Sequence, residues 1–409
     1  MTHEQQLGVR ATRDSQGRLE RGLVLMMAVA TGLAVANNYY AQSLLPAISK
    51  NLHISTGVSG LMVTVAQAGY AVGLVLLLPL GDLVERRRLV VALALGTALA
   101  LVWLASSPDG TSLLAAAFVV GTFSVLAQVL VPFSASLASG HERGRVVGMV
   151  MSGLLVGVIL ARTVAGLLAE TGTWRVVYYV AAGAMLVQAV VLFKRLPTWK
   201  EDTRLGYGKL LGSVAALMRE EPILRLRAAY GFLSFGTFSV LWTSMAFLLA
   251  RHYHYPTGVI GLFGLAGAAG ALTASLAGRL SDRRRARLST GVSTALLVIS
   301  WLAMWAGSSH ILFLVVGVVV LDVGAQGLHI TNQGEIYRLR PEAQSRLTSA
   351  YMVTYFAGGA IGSATSATIY SHMGWDGVCL AGAVFAVGSF TLWVVLLAHP
   401  VGRSQGTEG

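Results

Sequence analysis

The chain reads as an all-α integral membrane protein with twelve transmembrane helices in two pseudo-symmetric six-helix bundles. Three observations carry this. Of 409 residues, 55% are hydrophobic and 12% charged, mean hydropathy is +0.67, and apolar runs of roughly 20 residues, the length that crosses a hydrocarbon core, recur from end to end. The basic residues sort to one side of those runs. And the second half of the chain echoes the first.

Marking apolar runs bounded by charge, Gly, Pro or Asn places the spans at 22–47, 57–80, 88–106, 111–138, 145–169 and 174–193, then at 226–250, 257–280, 288–307, 310–335, 346–371 and 375–398. The expected layout is a bundle over 1–193 with an N-terminal tail, a linker over 194–225, and a bundle over 226–409 with a C-terminal tail. With the N-terminus inside, the cytoplasm receives 26 of the 30 Lys and Arg; Lys50, Arg175 and Arg251 fall outside, and Arg162 lies within a span. That bias puts both termini in the cytoplasm, here the inner membrane of a bacterium. Arg10 to Arg21, an apolar run and "AVA" at 34–36 resemble a cleavable signal, but the run continues past a polar insert to Pro46, so span 1 is expected to be retained.

A formal charge of +12 could suggest nucleic acid. The basic residues instead sit in short clusters between apolar runs, which is a topology signal, and no nucleic-acid partner is expected. The single cysteine, Cys379, excludes an intramolecular disulfide and a cysteine-rich metal site, and reads as lipid-facing or core filler. The 47 glycines lie within apolar runs, where small residues let helices approach closely. Within the linker, "LGSVAALMREE" reads either as a short amphipathic helix on the membrane surface or as part of a flexible tether.

The internal repeat is specific. "GDLVERRR" from Gly81 and "GRLSDRRR" from Gly278 follow spans 2 and 8, and "RVVGMVMSGLLVG" from Arg145 aligns with "RLTSAYMVTYFAG" from Arg346, so that Gly157 meets Gly358 and Trp174 meets Trp375. Two halves in parallel order with a site between them are a transporter design. The paired "GDLVERRR" and "GRLSDRRR" resemble the two copies of the Gly-x-Leu-x-Asp-Arg-x-x-Arg-Arg loop motif of the major facilitator superfamily, and the resemblance covers essentially the whole chain. It implies a cytoplasmic gate built from Gly81, Asp82, Glu85, Arg86 and Arg87 in the first copy and Gly278, Asp282, Arg283 and Arg284 in the second. The glycines would permit close helix packing, and the acids and arginines would form a charged latch. The first copy carries Glu85 in place of aspartate and an additional acid, Asp82, so either could close the latch.

Span 10 contains "LDVGAQGLHITNQGE". Of 18 acidic residues, Asp322 alone falls near the centre of a span. At 3.6 residues per turn, Asp322, Gln326, His329 and Gln333 share a stripe about 60° wide. A buried carboxylate costs kilocalories unless paired, hydrated or neutralised, so this stripe is the prime functional candidate. Glu335, near Arg338, fits an interfacial charge network.

In the resembled family spans 1, 4, 7 and 10 line a central cavity. The resemblance therefore assigns to the substrate path Asn37, Asn38, Tyr39, Tyr40 and Gln42 of span 1, Gln128 and Pro132 of span 4, Trp242 and Thr243 of span 7, and Gln326, Asn332 and Gln333 of span 10. Such an aromatic and carboxamide lining suits a neutral or weakly cationic organic solute. Arg162 of span 5 cannot lose its proton and needs an anionic or carbonyl partner. A switchable Arg162 to Asp322 pair, a permanent structural pair, and an Arg162 held by carbonyls all remain open, as do relay and structural roles for His329. Antiporters of the superfamily often carry Gly-x-x-x-Gly-Pro-x-x-Gly-Gly in span 5, whereas this chain has Gly153, Gly157, Arg162 and Gly166 without the proline.

The expected function is secondary transport of a small organic solute, with proton-coupled efflux of the drug or sugar type as the leading reading and proton-coupled import as the alternative. A non-transporting receptor is a remote third. No embedded Ser/His/Asp set, His-rich metal motif or nucleotide loop occurs, so neither enzyme chemistry nor ATP drive nor a cofactor is expected. Lipid, solute and protons are the expected partners, and the expected state is a monomer.

Overall fold

The computed structural model describes residues 19–139, 141–200, 206–267, 286–340 and 344–398. Ten segments among them are helical, long and apolar enough to cross a membrane. Lipid offers backbone groups no hydrogen bonds, so a spanning segment must satisfy its own, and helices do so residue by residue.

Span 1 comprises α1 (Arg21–Ala36) and α2 (Tyr40–Leu52) with a turn between them. Span 2 is α3 (Thr56–Leu76), capped by Ser55, whose hydroxyl accepts from Val58 N at 3.2 Å, and followed by the short 3-10 turn Leu78–Asp82. Span 3 is α4 (Arg86–Ala105). Span 4 is α5 (Gly110–Phe123), capped by the Asp109 carboxylate on Ser112 N at 2.9 Å, and then α6 (Leu126–Leu137). Spans 5 and 6 are α7 (Arg143–Glu170) and α8 (Trp174–Arg195).

The linker forms α9 (Tyr207–Glu220). Its Leu210 and Leu217 are buried, and the Tyr207 hydroxyl donates to Leu76 O at 2.7 Å, so this face is covered by protein and does not rest on lipid. Span 7 is α10 (Pro222–Arg251). Span 8 opens with α11 (Thr257–Leu262) and runs on outside the described residues, which takes Gly278, Asp282, Arg283 and Arg284 with it. Spans 9 and 10 are α12 (Ala286–Ala306) and α13 (Ile311–Ile336). Spans 11 and 12 are the two arms of α14 (Gln344–Ala398), parted at Gly374, whose φ of +63° is the left-handed conformation glycine tolerates.

The helices gather into two compact units, Met1–Ser213 with Trp242–Leu265, and Val214–Leu241 with Ala266–Gly409. Inside the first unit, span 1 meets span 5 backbone to backbone: a Cβ on Gly32 would lie 2.6 Å from Gly153 O, one on Gly153 would strike Ala28 O, and one on Gly157 would strike Gly32 O. Inside the second, span 7 meets span 11 in the same way, with Gly358 against Phe232 O and Gly362 against Gly236 O. The predicted Gly157 and Gly358 correspondence is thus one packing contact made twice. The tryptophan pair is likewise buried in both halves, Trp174 donating to Asn51 Oδ1 and Trp375 to Met304 O, each at 3.0 Å.

Large apolar side chains populate the outside: Leu99, Leu312, Leu302 and Val187 are all at least 65% exposed, as lipid-facing residues are. Cys379 is buried, which makes it core filler and not a lipid-facing residue.

Replacing Gly157 with leucine is expected to destabilise the protein by about 1–3 kcal/mol or more, because the added atoms meet backbone that cannot yield. Gly148→Ala, where a Cβ meets nothing within 4 Å, is the neutral control. Thermal midpoints of the purified variants in detergent check both.

Candidate transport site

In the first unit the site begins where span 1 breaks. Residues 37 to 39 form a turn, with Asn37 Nδ2 donating to Ala34 O at 3.2 Å. Just beyond it stands "QSLLP", Gln42 to Pro46, and span 4 carries the matching "QVLVP", Gln128 to Pro132, just after its own break. Each proline lies inside its helix and cannot donate to the backbone carbonyl of the glutamine four residues earlier. This shared Gln-x-x-x-Pro is a signal visible in the sequence, and hydropathy windows pass over it because both spans remain apolar on average.

Arg162, 2% exposed, is the hub of this unit. Its Nε donates to Gln42 Oε1 at 2.6 Å and its Nη1 to Val158 O at 3.4 Å. The guanidinium lies 3.7 Å from the Trp242 ring centroid and 4.9 Å from that of Tyr39. Ser43 Oγ donates to Arg162 O at 3.1 Å, and the neighbouring Thr163 Oγ1 to Gly261 O at 3.0 Å. Flat, delocalised and weakly hydrated, a guanidinium suits such a stack as an ammonium would not. Of the predicted residues, Gln42, Tyr39 and Trp242 are brought together on Arg162. Asn37, Asn38, Tyr40 and Thr243 are buried alongside in the same unit, and the Tyr40 ring stands edge-on to Tyr178.

In the second unit α13 runs unbroken through Asp322, Gln326, His329 and Gln333, so the expected stripe exists. Asp322 is 4% exposed. His329 Nδ1 lies 2.9 Å from the Tyr351 hydroxyl, and its ring is 4.7 Å from that of Tyr355. Asn332, of the expected cavity set, accepts at its Oδ1 from Arg227 Nη1 at 3.4 Å. Arg227 also donates to Thr290 Oγ1 at 3.0 Å and stands 3.7 Å from Glu335, which Arg338 holds at 2.8 Å. Charge counting assigns Arg227 to the connecting segment because it sits at the edge of span 7. The fold draws it in, where its long side chain reaches three helices. Glu335 is in a charge network as expected, with Arg227 as an additional member.

The first loop motif divides its charges. Asp82 pairs with Arg86 at 3.5 Å, while Glu85 pairs with Arg87 at 3.2 Å and Arg88 at 2.9 Å. Arg86 reaches further, to Gly81 O at 3.2 Å and Ser136 Oγ at 3.0 Å. Gly81 is not a close-packing position, since a Cβ there would make ordinary contacts of 3.7 and 3.9 Å. Its contribution is the carbonyl that receives Arg86. Arg162 belongs to the first unit and Asp322 to the second.

Arg227→Gln is expected to destabilise the protein by about 1–3 kcal/mol, since it strips partners from buried Asn332 and Thr290. Arg338→Gln, at a half-exposed site, should change stability by about 0–1 kcal/mol. Thermal midpoints in detergent compare the two.

A family model described as Major Facilitator Superfamily matches residues 27–334 and 228–409. The chain is 51% identical over 376 residues to the putative uncharacterized transporter YgaY of Escherichia coli K12, covering 92% of this chain and 95% of that one. It is 34% identical over 387 residues to the probable transporter SCO4007 of Streptomyces coelicolor, covering 94% and 89%. Among solved structures, a POT family transporter in complex with 5-aminolevulinic acid superposes with a TM-score of 0.76 at 13% identity, over 97% of this chain and 99% of that one. At that identity the likeness concerns the fold, while the family match and the relatives carry the assignment: this chain is a membrane transporter of the major facilitator superfamily.

Proposed function

We propose that this transporter exchanges inward protons for an outward-moving small organic solute across the cytoplasmic membrane, by alternating access and with both termini in the cytoplasm. The observation that carries the reading is Asp322, a carboxyl 4% exposed midway along α13, on the polar stripe it shares with Gln326, His329 and Gln333. Ionised, such a group costs kilocalories in lipid, so its proton affinity changes with the hydration of the state that holds it. Alternation between two such states then carries a proton. His329, hydrogen-bonded to Tyr351 on the same face, is placed to accept or orient a proton or a solute group.

Arg162 supplies a permanent positive charge, oriented by Gln42 and the two aromatic rings. The Asp82 and Arg86 pair serves as the cytoplasmic latch, since of the two acids it is Asp82 that engages the buried arginine. The proton gradient supplies the energy without any cofactor, and one chain holds both halves, so a monomer suffices. Export is the leading reading and rests on the resemblance of the whole chain to the superfamily, since no residue encodes direction. Proton-coupled symport that imports a metabolite is the alternative.

In proteoliposomes under an imposed pH gradient, Asp322→Asn is expected to abolish solute-driven proton movement while sparing solute counterflow. Normal proton coupling in that variant would remove Asp322 from the mechanism. Arg162→Lys, which keeps the charge but loses the planar stack, should lower transport by about tenfold or more at unchanged protein yield, measured as initial rates in the same liposomes.

A further inference from the structure

Around the break in span 1 three carboxamides are more than nine-tenths buried: Asn37, Asn38 and Gln42 are 5%, 7% and 2% exposed. Four of their polar atoms have no hydrogen-bond partner among the described residues, namely Asn37 Oδ1, Asn38 Oδ1 and Nδ2, and Gln42 Nε2. The two ends of an amide are told apart by their partners, and here the partners decide. Asn37 Nδ2 donates to Ala34 O, so its open atom is an acceptor. Gln42 Oε1 accepts from Arg162 Nε, a bond its NH2 end could not make, so its open atom is a donor. Asn38 offers one of each whichever way it is turned. The set is therefore two acceptors and two donors, none of them titratable.

Buried polar groups are nearly always paired, and four open ones within two turns of one helix require partners from elsewhere. We infer that the break in span 1 is a solute-binding site, and that its ligand is an uncharged polar molecule with a donor and an acceptor on neighbouring atoms, as in a vicinal diol or a ring lactam. This inference rests on the transport reading and narrows its solute. An organic cation would face the guanidinium held by the same Gln42, and an anion, though drawn to that guanidinium, would lie against the open oxygens of Asn37 and Asn38; neither mismatch is relieved by water in a buried site. A neutral donor and acceptor pair meets both ends of Asn38 at once. Gln42 connects the site to the charge, because its oxygen holds Arg162 and its nitrogen is open to the ligand. Occupancy and guanidinium orientation therefore pass through one side chain.

The purified full-length protein in detergent is titrated with D-arabinose for vicinal hydroxyls, uracil for a ring lactam, benzoate as anion and tetraphenylphosphonium as cation, reading the shift in thermal midpoint. The expected result is a saturable rise with arabinose or uracil and none with the ions. In Asn38→Leu and Gln42→Glu the responsive probe should bind about tenfold or more weakly. The Asn38 side chain bonds nothing among the described residues, so the unliganded midpoint of Asn38→Leu should not fall below wild type and separates lost recognition from misfolding. The inference is overturned by no shift with either neutral probe, by a saturable shift with an ion instead, or by an unchanged neutral-probe response in both variants. Counterflow of the bound probe in liposomes distinguishes the two claims: binding without exchange sinks the transport reading and leaves the solute class standing.

Discussion

The interaction on which the rest of this structure depends is a contact between backbones. Lipid tails are as apolar as leucine, so helices in a bilayer gain little from hiding side chains against one another, and close approach through small residues takes over. Gly32, Gly153 and Gly157 bring span 1 against span 5 with no side chain between them. That contact sets the register of everything beyond it. Ten residues past Gly32 on one strand of chain stands Gln42, five past Gly157 on the other stands Arg162, and they meet at 2.6 Å. A helix pair held at side-chain distance would separate that bond. The same contact recurs at Gly358 and Gly362, so both halves inherit one way of locking their first helix to their fifth.

On this frame the two buried guanidiniums behave differently. Arg227 is a tie: it bonds Thr290 and Asn332, stands beside Glu335, and thereby joins spans 7, 9 and 10 at one end of their unit. In the first unit an acid also ties segments together: the Glu142 carboxylate after span 4 accepts from Leu19 N just ahead of span 1. Arg162 is instead presented, with aromatic faces on its plane and a carboxamide at its edge. Aromatic faces attract a guanidinium through the ring quadrupole and hold its plane against them. Arg227 thus ties spans together, whereas Arg162 is held by one carboxamide, one carbonyl and two rings.

Several features could be read directly from residues. The spans emerge from hydropathy because a membrane imposes length and apolarity on each one separately, with no tertiary term. The polar stripe of span 10 emerges from helical period, and α13 is indeed unbroken across it. Other features could not. The break at 37 to 39 lies within a run that hydropathy treats as a single span. Arg227 counts as a loop cation until the fold shows which helices it reaches. Gly81 was expected to serve packing, yet it serves through its carbonyl, and the bond that Arg227 makes to Asn332 has no signal in the sequence.

What the sequence by itself determined was the number and order of the helices, the repeat that pairs the halves, and the types of polar residue placed in lipid. These are properties of each segment taken alone or of two segments compared as text. Which acid takes which arginine, which carboxamide turns toward Arg162 and which amide atoms stay open were decided only by tertiary structure. Some of those outcomes, such as Gln42 on Arg162 and Arg227 beside Glu335, depend on distances between segments more than a hundred residues apart. The physical reason is that hydrophobic matching to a bilayer is local and one-dimensional, whereas a hydrogen bond is made or lost over a few tenths of an ångström between helices whose register no single helix contains.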